Sequence, residues 1–152
     1  MKLAEALIER KSLTEKIGKL RGRLTANVLV QEGDQPTESP ESLMAELNGA
    51  IEQLESLVRR INATNILAKL PDGISVADAV VRRDMIRLRR EAMEQAAEAA
   101  SMRGNRFTRN EVKFVLTVQI AELHNQVDRL SKAWRELDAQ IQAVNWTNEL
   151  VS

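Results

Sequence analysis

Leu116, Ile120, Leu123, Val127, Leu130, Trp134, Leu137, Ile141 and Val144 follow one another at alternating steps of four and three residues. Apolar side chains at that spacing line one side of an α-helix, whereas a half-buried strand would alternate every second residue. No glycine or proline occurs from residue 105 to the end of the sequence. Thr108-Arg109-Asn110-Glu111 has the form of a capping box, in which threonine and glutamate satisfy each other's backbone amides. The pattern therefore predicts a helix over about 109–145, roughly 55 Å long at ~1.5 Å per residue. A compact globule of this chain length has a diameter of only about 38 Å.

A stripe of this length must be covered by something. Ile120, Val127, Trp134 and Ile141 take the a positions of a heptad and the leucines the d positions, a combination that by itself favours a parallel pair. The flanks point elsewhere. Gln119, Gln126, Ala133 and Gln140 on one side, and Thr117, His124 and Ser131 on the other, carry no cluster of charge. Neutral flanks suit a seam with helices on either side, and Trp134 needs more room than a tight pair leaves. The expectation is that Leu116, Ile120, Leu123, Val127, Leu130, Trp134, Leu137 and Ile141 join a helical bundle. The overhang would be buried by a second copy in a homo-oligomer, a dimer or higher.

The rest of the chain reads the same way. Leu13, Ile17, Leu20 and Leu24 place a first helix at about 3–28, weakened by Gly18 and Gly22. QEGDQPTESP (31–40) is polar and carries Gly33, Pro36 and Pro40, which places a loop at 29–39. Ser39-Pro40 marks a helix entry, serine as cap and proline in the first turn. A second helix at about 40–62 carries Leu43, Leu47, Ala50, Leu54, Leu57 and Ile61 on its seam. Pro71-Asp72-Gly73 is a turn, and Ile66, Leu67, Ile74 and Val76 around it could form a tiny β-hairpin near 66–76. Ser75, with Asp78 as reciprocal partner, opens a third helix at about 75–102. The fold class expected is all-α: an elongated bundle of long antiparallel helices over residues 1–152. It would consist of two helical hairpins with coiled-coil-like seams on either side of the turn region 65–75.

Composition narrows function mainly by exclusion. There is no cysteine, so thiolate metal sites and cysteine nucleophiles do not arise. Lys plus Arg and Asp plus Glu number 22 each, which argues against a chain whose main business is coating a polyanion. No apolar run reaches the ~18–20 residues of a membrane span, and MKLAEALIERKS is a helix start with charges through it. A cytoplasmic, soluble protein is expected. His124 is the only histidine, and no Glu-x-x-His pair accompanies it. It reads as a flank residue beside the seam, not a metal ligand or base. No phosphate loop or nucleophile elbow is found, so neither catalysis nor a cofactor is expected.

Charge is unevenly distributed. Residues 32–58 hold seven acids and no Lys or Arg, whereas 82–113 hold nine basic residues against five acids. Arg83, Arg87 and Arg90 share a helix face with Arg82 and Arg89 at its edge, and Arg106 and Arg109 follow. Arg82, Arg83, Arg87, Arg90, Arg106 and Arg109 are candidate anion-binding residues, with nucleic acid as the alternative partner. Helix pairs such as Arg87–Glu91 and Arg90–Glu94, or a meeting with the acidic segment, would account for the same arginines without a ligand.

Several stretches together give a family resemblance. MKLAEAL, VQEGDQPTESPESL (30–43), INATN (61–65), DGISVADAVVRRD (72–84), NRFTRNEVKFV (105–115) and LSKAWRELDAQIQAVNW (130–146) span nearly the whole chain in order. On these the sequence resembles the septicolysin-like family of small bacterial proteins. The resemblance implies a long-helix protein and carries over no catalytic residue; its name suggests a membrane-active lysin. The residues themselves favour a self-associating helical protein with a structural or protein-interaction role.

Overall fold

The computed structural model describes residues 1–103 and 114–152, with the side chains of residues 102 and 103 left aside. Four helices follow one another: α1 (Leu3–Asn27), α2 (Pro40–Leu67), α3 (Val76–Arg103) and α4 (Ile120–Thr147). The fold is all-α, as the periodicities predict. The chain divides into two compact units, residues 1–69 with 144–152, and residues 70–143. The Pro71-Asp72-Gly73 turn lies at the start of the second.

In the first unit α1 and α2 pack as an antiparallel hairpin. At one end Leu3, Ala6, Leu57, Ile61 and Leu150 form a closed apolar cluster, and at the other Leu20, Leu43 and Ala50 do so. The helix starts are fixed locally. Ser39 Oγ accepts from the Ser42 amide at 3.3 Å with Pro40 in the first turn, and the Glu5 carboxylate accepts from the Lys2 amide at 2.7 Å. The connection between the helices is pinned at its base. Arg23 grips Glu38 through both Nε and Nη2, while the buried Asn27 side chain donates to Arg23 O at 2.9 Å and accepts from the Glu38 amide at 3.0 Å.

Residues 148–151 return alongside the start of the chain. Leu3 N–H donates to Asn148 O at 2.9 Å and Leu150 N–H to Met1 O at 2.8 Å. Thr64 Oγ1 accepts from Val151 N–H at 3.1 Å, and Arg60 Nε donates to Val151 O at 2.9 Å. Lys2 Nζ lies 2.6 Å from Glu149 Oε1. This closure is a long-range contact that no periodicity announces.

Two sequence expectations are corrected. No strand longer than a single bridge residue, at Lys69 and at Ser75, forms at 66–76, because the helices take Ile66, Leu67 and Val76. α2 runs five residues past Asn62 to Leu67, and Val76 already belongs to α3. What remains is a tight turn: Leu70 N–H donates to Ile74 O at 2.9 Å and Gly73 N–H to Leu70 O at 2.9 Å, with Gly73 at φ 85°. Only glycine adopts that φ without strain.

The other correction concerns the last helix, which starts at Ile120 and not near residue 109. Residues 114–119 are non-helical, and the first helical bonds run from Glu122 and Leu123 N–H to Gln119 O at 3.1 and 3.2 Å. The β-branched residues of Val115-Leu116-Thr117-Val118 disfavour helix, which is the local reason. The Thr108–Glu111 capping box lies outside the described residues. α4 has 28 residues, about 42 Å, so the overhang that motivated a second copy loses its length.

Candidate functional site

In the second unit Ser75 caps α3 as expected: its Oγ accepts from the Asp78 amide at 3.0 Å and donates to the Asp78 carboxylate at 2.5 Å. α3 and α4 run antiparallel. Arg83 of α3 donates to Asp138 of α4 at 2.7 Å, and two turns further Arg89 and Met93 share a cleft of about 360 Å³ with Gln126, Arg129 and Leu130. The α3 face turned inward is Val76, Ala79, Arg83, Ile86, Arg90, Met93 and Ala97, all buried or half-buried. It keeps a three-four rhythm of its own.

The predicted α4 stripe also turns inward, with graded cover. Ile120, Leu123, Val127, Leu130 and Trp134 are half-buried, whereas Leu137, Ile141 and Val144 are buried. Leu116 precedes the helix and is exposed, so it does not share the stripe. Trp134 Nε1 is buried without an acceptor among the described residues.

The arginines do not form one open strip. Arg83 lies between Asp138 at 2.7 Å and Asp84 at 3.3 Å, and its Nε is buried without a hydrogen bond. Arg87 pairs with Glu91 at 3.8 Å and Arg90 with Glu94 at 3.5 Å, both one turn along the same helix. Arg82 sits 3.7 Å from Asp72. Each of these four cations therefore has a carboxylate neighbour, while Arg106 and Arg109 lie outside the described residues. The acidic segment has partners in its own unit: Glu38 with Arg23, Glu46 with Lys16 at 3.0 Å and Glu55 with Arg59 at 2.5 Å. The Arg23 guanidinium holds the Glu38 carboxyl below the usual carboxylate range and is itself shifted upward.

Among the described residues no group of His, Cys, Asp or Glu is placed to hold a metal ion, and no helix is long and apolar enough to cross a membrane. What the second unit does present is apolar surface. Val81, Met85 and Leu88 on α3 are 61%, 44% and 58% exposed. With Ala92 and Gln95 they keep four-three spacing on the side of α3 opposite to Arg83 and Arg90. A second apolar feature is the cleft of about 320 Å³ between Ala96, Ala99 and Ala100 of α3 and residues 114–118. The outer α3 stripe was legible as a heptad, but it is hidden in a segment whose most conspicuous residues are arginines.

No curated protein matches the sequence. One solved structure is similar over 99% of this chain and 99% of its own, at 36% identity and a TM-score of 0.93. It is described as a functionally unknown conserved protein from Corynebacterium diphtheriae. A family model of unknown function, DUF6847, matches residues 10–150. These findings overturn the septicolysin-like resemblance, since neither points to that family. The stretches that carried it are a helix entry, a glycine turn, a capping box and heptads, which helical proteins share for reasons of local geometry. By the extent of the match, the chain belongs to the family of unknown function DUF6847.

Proposed function

We propose that the protein works as a self-associating, cytoplasmic structural or protein-interaction unit and does not itself catalyse a reaction. The observation that carries this reading is the exposure of Val81, Met85 and Leu88 in line on one preformed helix. Scattered apolar residues on a surface need no explanation, but an aligned set on a rigid element is what association uses. Helix formation has already been achieved by packing on α4, so a partner meets an ordered face and little ordering cost remains. Compared with the sequence expectation, the proposed contact shifts from the α4 seam, which is largely turned inward, to the outer side of α3.

Size exclusion with light scattering, at low and high salt and with the 260-to-280 nm absorbance ratio recorded, tests the reading. A nucleic-acid-free oligomer that persists in high salt is the expected result. A monomer of 17.1 kDa at all concentrations would end it. Nucleic acid that co-elutes and is stripped by salt would move attention to the arginines.

A further inference from the structure

We infer that the outer face of α3 pairs in parallel with the same face of a second copy, an inference that rests on the self-association just proposed. In heptad terms Met85 and Ala92 occupy a, and Val81, Leu88 and Gln95 occupy d. The flanking positions are then sorted by sign. Arg82 and Arg89 lie at e, and Asp84, Glu91 and Glu98 lie at g. Such flanks set partner and orientation in paired helices.

A parallel pair brings the e flank of each helix against the g flank of the other. Asp84 of one copy then lies beside Arg89 of its partner, and the contact occurs twice by symmetry. An antiparallel pair brings arginine to arginine and acid to acid, which is destabilising. Arg89 has no ion-pair partner within its own chain among the described residues, in contrast to Arg82, Arg83, Arg87 and Arg90. Gln95 argues in the same direction. In a parallel pair the two Gln95 amides meet at a d layer and can satisfy one another, whereas an antiparallel pair removes that match and sets each against an a position, Asp78 or Met85 according to register. A second copy of this chain therefore complements the face in shape, charge and polar register at once.

The absence of native cysteine allows a direct test. Like d positions face each other in a parallel pair, so Leu88→Cys should oxidise to a covalent dimer. Arg87→Cys, its neighbour on a different face, should not. Both side chains are exposed, and a melting curve of each reduced variant checks that the fold is intact. In parallel, Arg89→Asp should weaken association about tenfold through two like-charge contacts, and Asp84→Arg added to it should restore association by exchanging the charges. A wild-type oligomer in which Leu88→Cys cross-links no better than Arg87→Cys would overturn this interface and leave self-association standing. A wild-type monomer would remove both. Cross-linking only between Leu88→Cys and Met85→Cys chains when mixed would establish an antiparallel pair and overturn the orientation.

Discussion

Arg83 Nη1 and Asp138 Oδ1 lie 2.7 Å apart, the one on α3 and the other on α4 fifty-five residues later. Both side chains are about a quarter exposed, at 23% and 25%. Partial burial makes Asp138 dependent on Arg83, while Arg83 without Asp138 keeps only its longer contact to Asp84 at 3.3 Å and stays an incompletely satisfied charge.

Asp138→Ala should accordingly destabilise the protein by about 1–3 kcal/mol, more than a surface ion pair would account for. Arg83 Nε already lacks an acceptor, so Arg83→Met combined with Asp138→Leu should recover most of the loss. Urea unfolding of the two single variants and the double variant measures the coupling. Additive losses would mean that the two groups act independently.

The closure of the first unit depends on pH in a defined sense. Hydrogen bonds from Lys2 and from the N-terminal ammonium hold the Glu149 carboxyl below its ordinary range. A carboxyl whose folded pKa is depressed contributes stability above its unfolded value, and loses it as pH falls through the folded value. The melting temperature of the wild type should exceed that of Glu149→Gln by a constant margin from about pH 5 to about pH 7. That margin should shrink as pH drops below about 4, where glutamate ordinarily titrates. A margin independent of pH down to strong acid would show that the carboxylate charge contributes nothing there.

Gly18 and Gly22 of α1 were visible in the sequence as a pair four residues apart, a spacing that can mark closely approaching helices. A Cβ added at either position meets nothing within 4 Å. They are helical glycines in open space. Gly18→Ala and Gly22→Ala should each raise stability by up to about 1 kcal/mol, additively, in a denaturant titration. A loss at either site would show that a partner approaches α1 there in solution.

The sequence made the helices legible because each carries its own local instructions: leucines at helical spacing, Ser39-Pro40, and Ser75 with Asp78. Two kinds of feature escaped it. The closure of Lys2 against Glu149 and of Thr64 against Val151 depends on which distant segments meet, and no local pattern encodes that. On α3 the opposite problem arises, since the helix carries two apolar rhythms on opposite sides. Arg83 and Arg90 belong to the inward one and Arg82 and Arg89 flank the outward one, so reading the arginines as a single basic face merges two surfaces. The start of α4 was misplaced because the apolar spacing from Leu116 to Ile120 fits a helix, while β-branched Val115, Thr117 and Val118 resist one.

Burial along the α4 stripe increases toward its C-terminal end, and this yields a quantitative gradient. Ile141 is 2% exposed, whereas Ile120 is half-buried at the first turn. Truncation of a fully buried isoleucine removes its transfer free energy and leaves a cavity, so Ile141→Ala should cost about 2–5 kcal/mol. Ile120→Ala removes a side chain that water already reaches in part, and should cost less than about 1.5 kcal/mol. The comparison is made by denaturant unfolding at two protein concentrations about a hundredfold apart. If Ile120→Ala costs as much as Ile141→Ala at the higher concentration and less at the lower, the first turns of α4 are covered by another molecule in solution. Equal gradients at both concentrations place the cover of the stripe within one chain, and leave the outer face of α3 as the surface available to a partner.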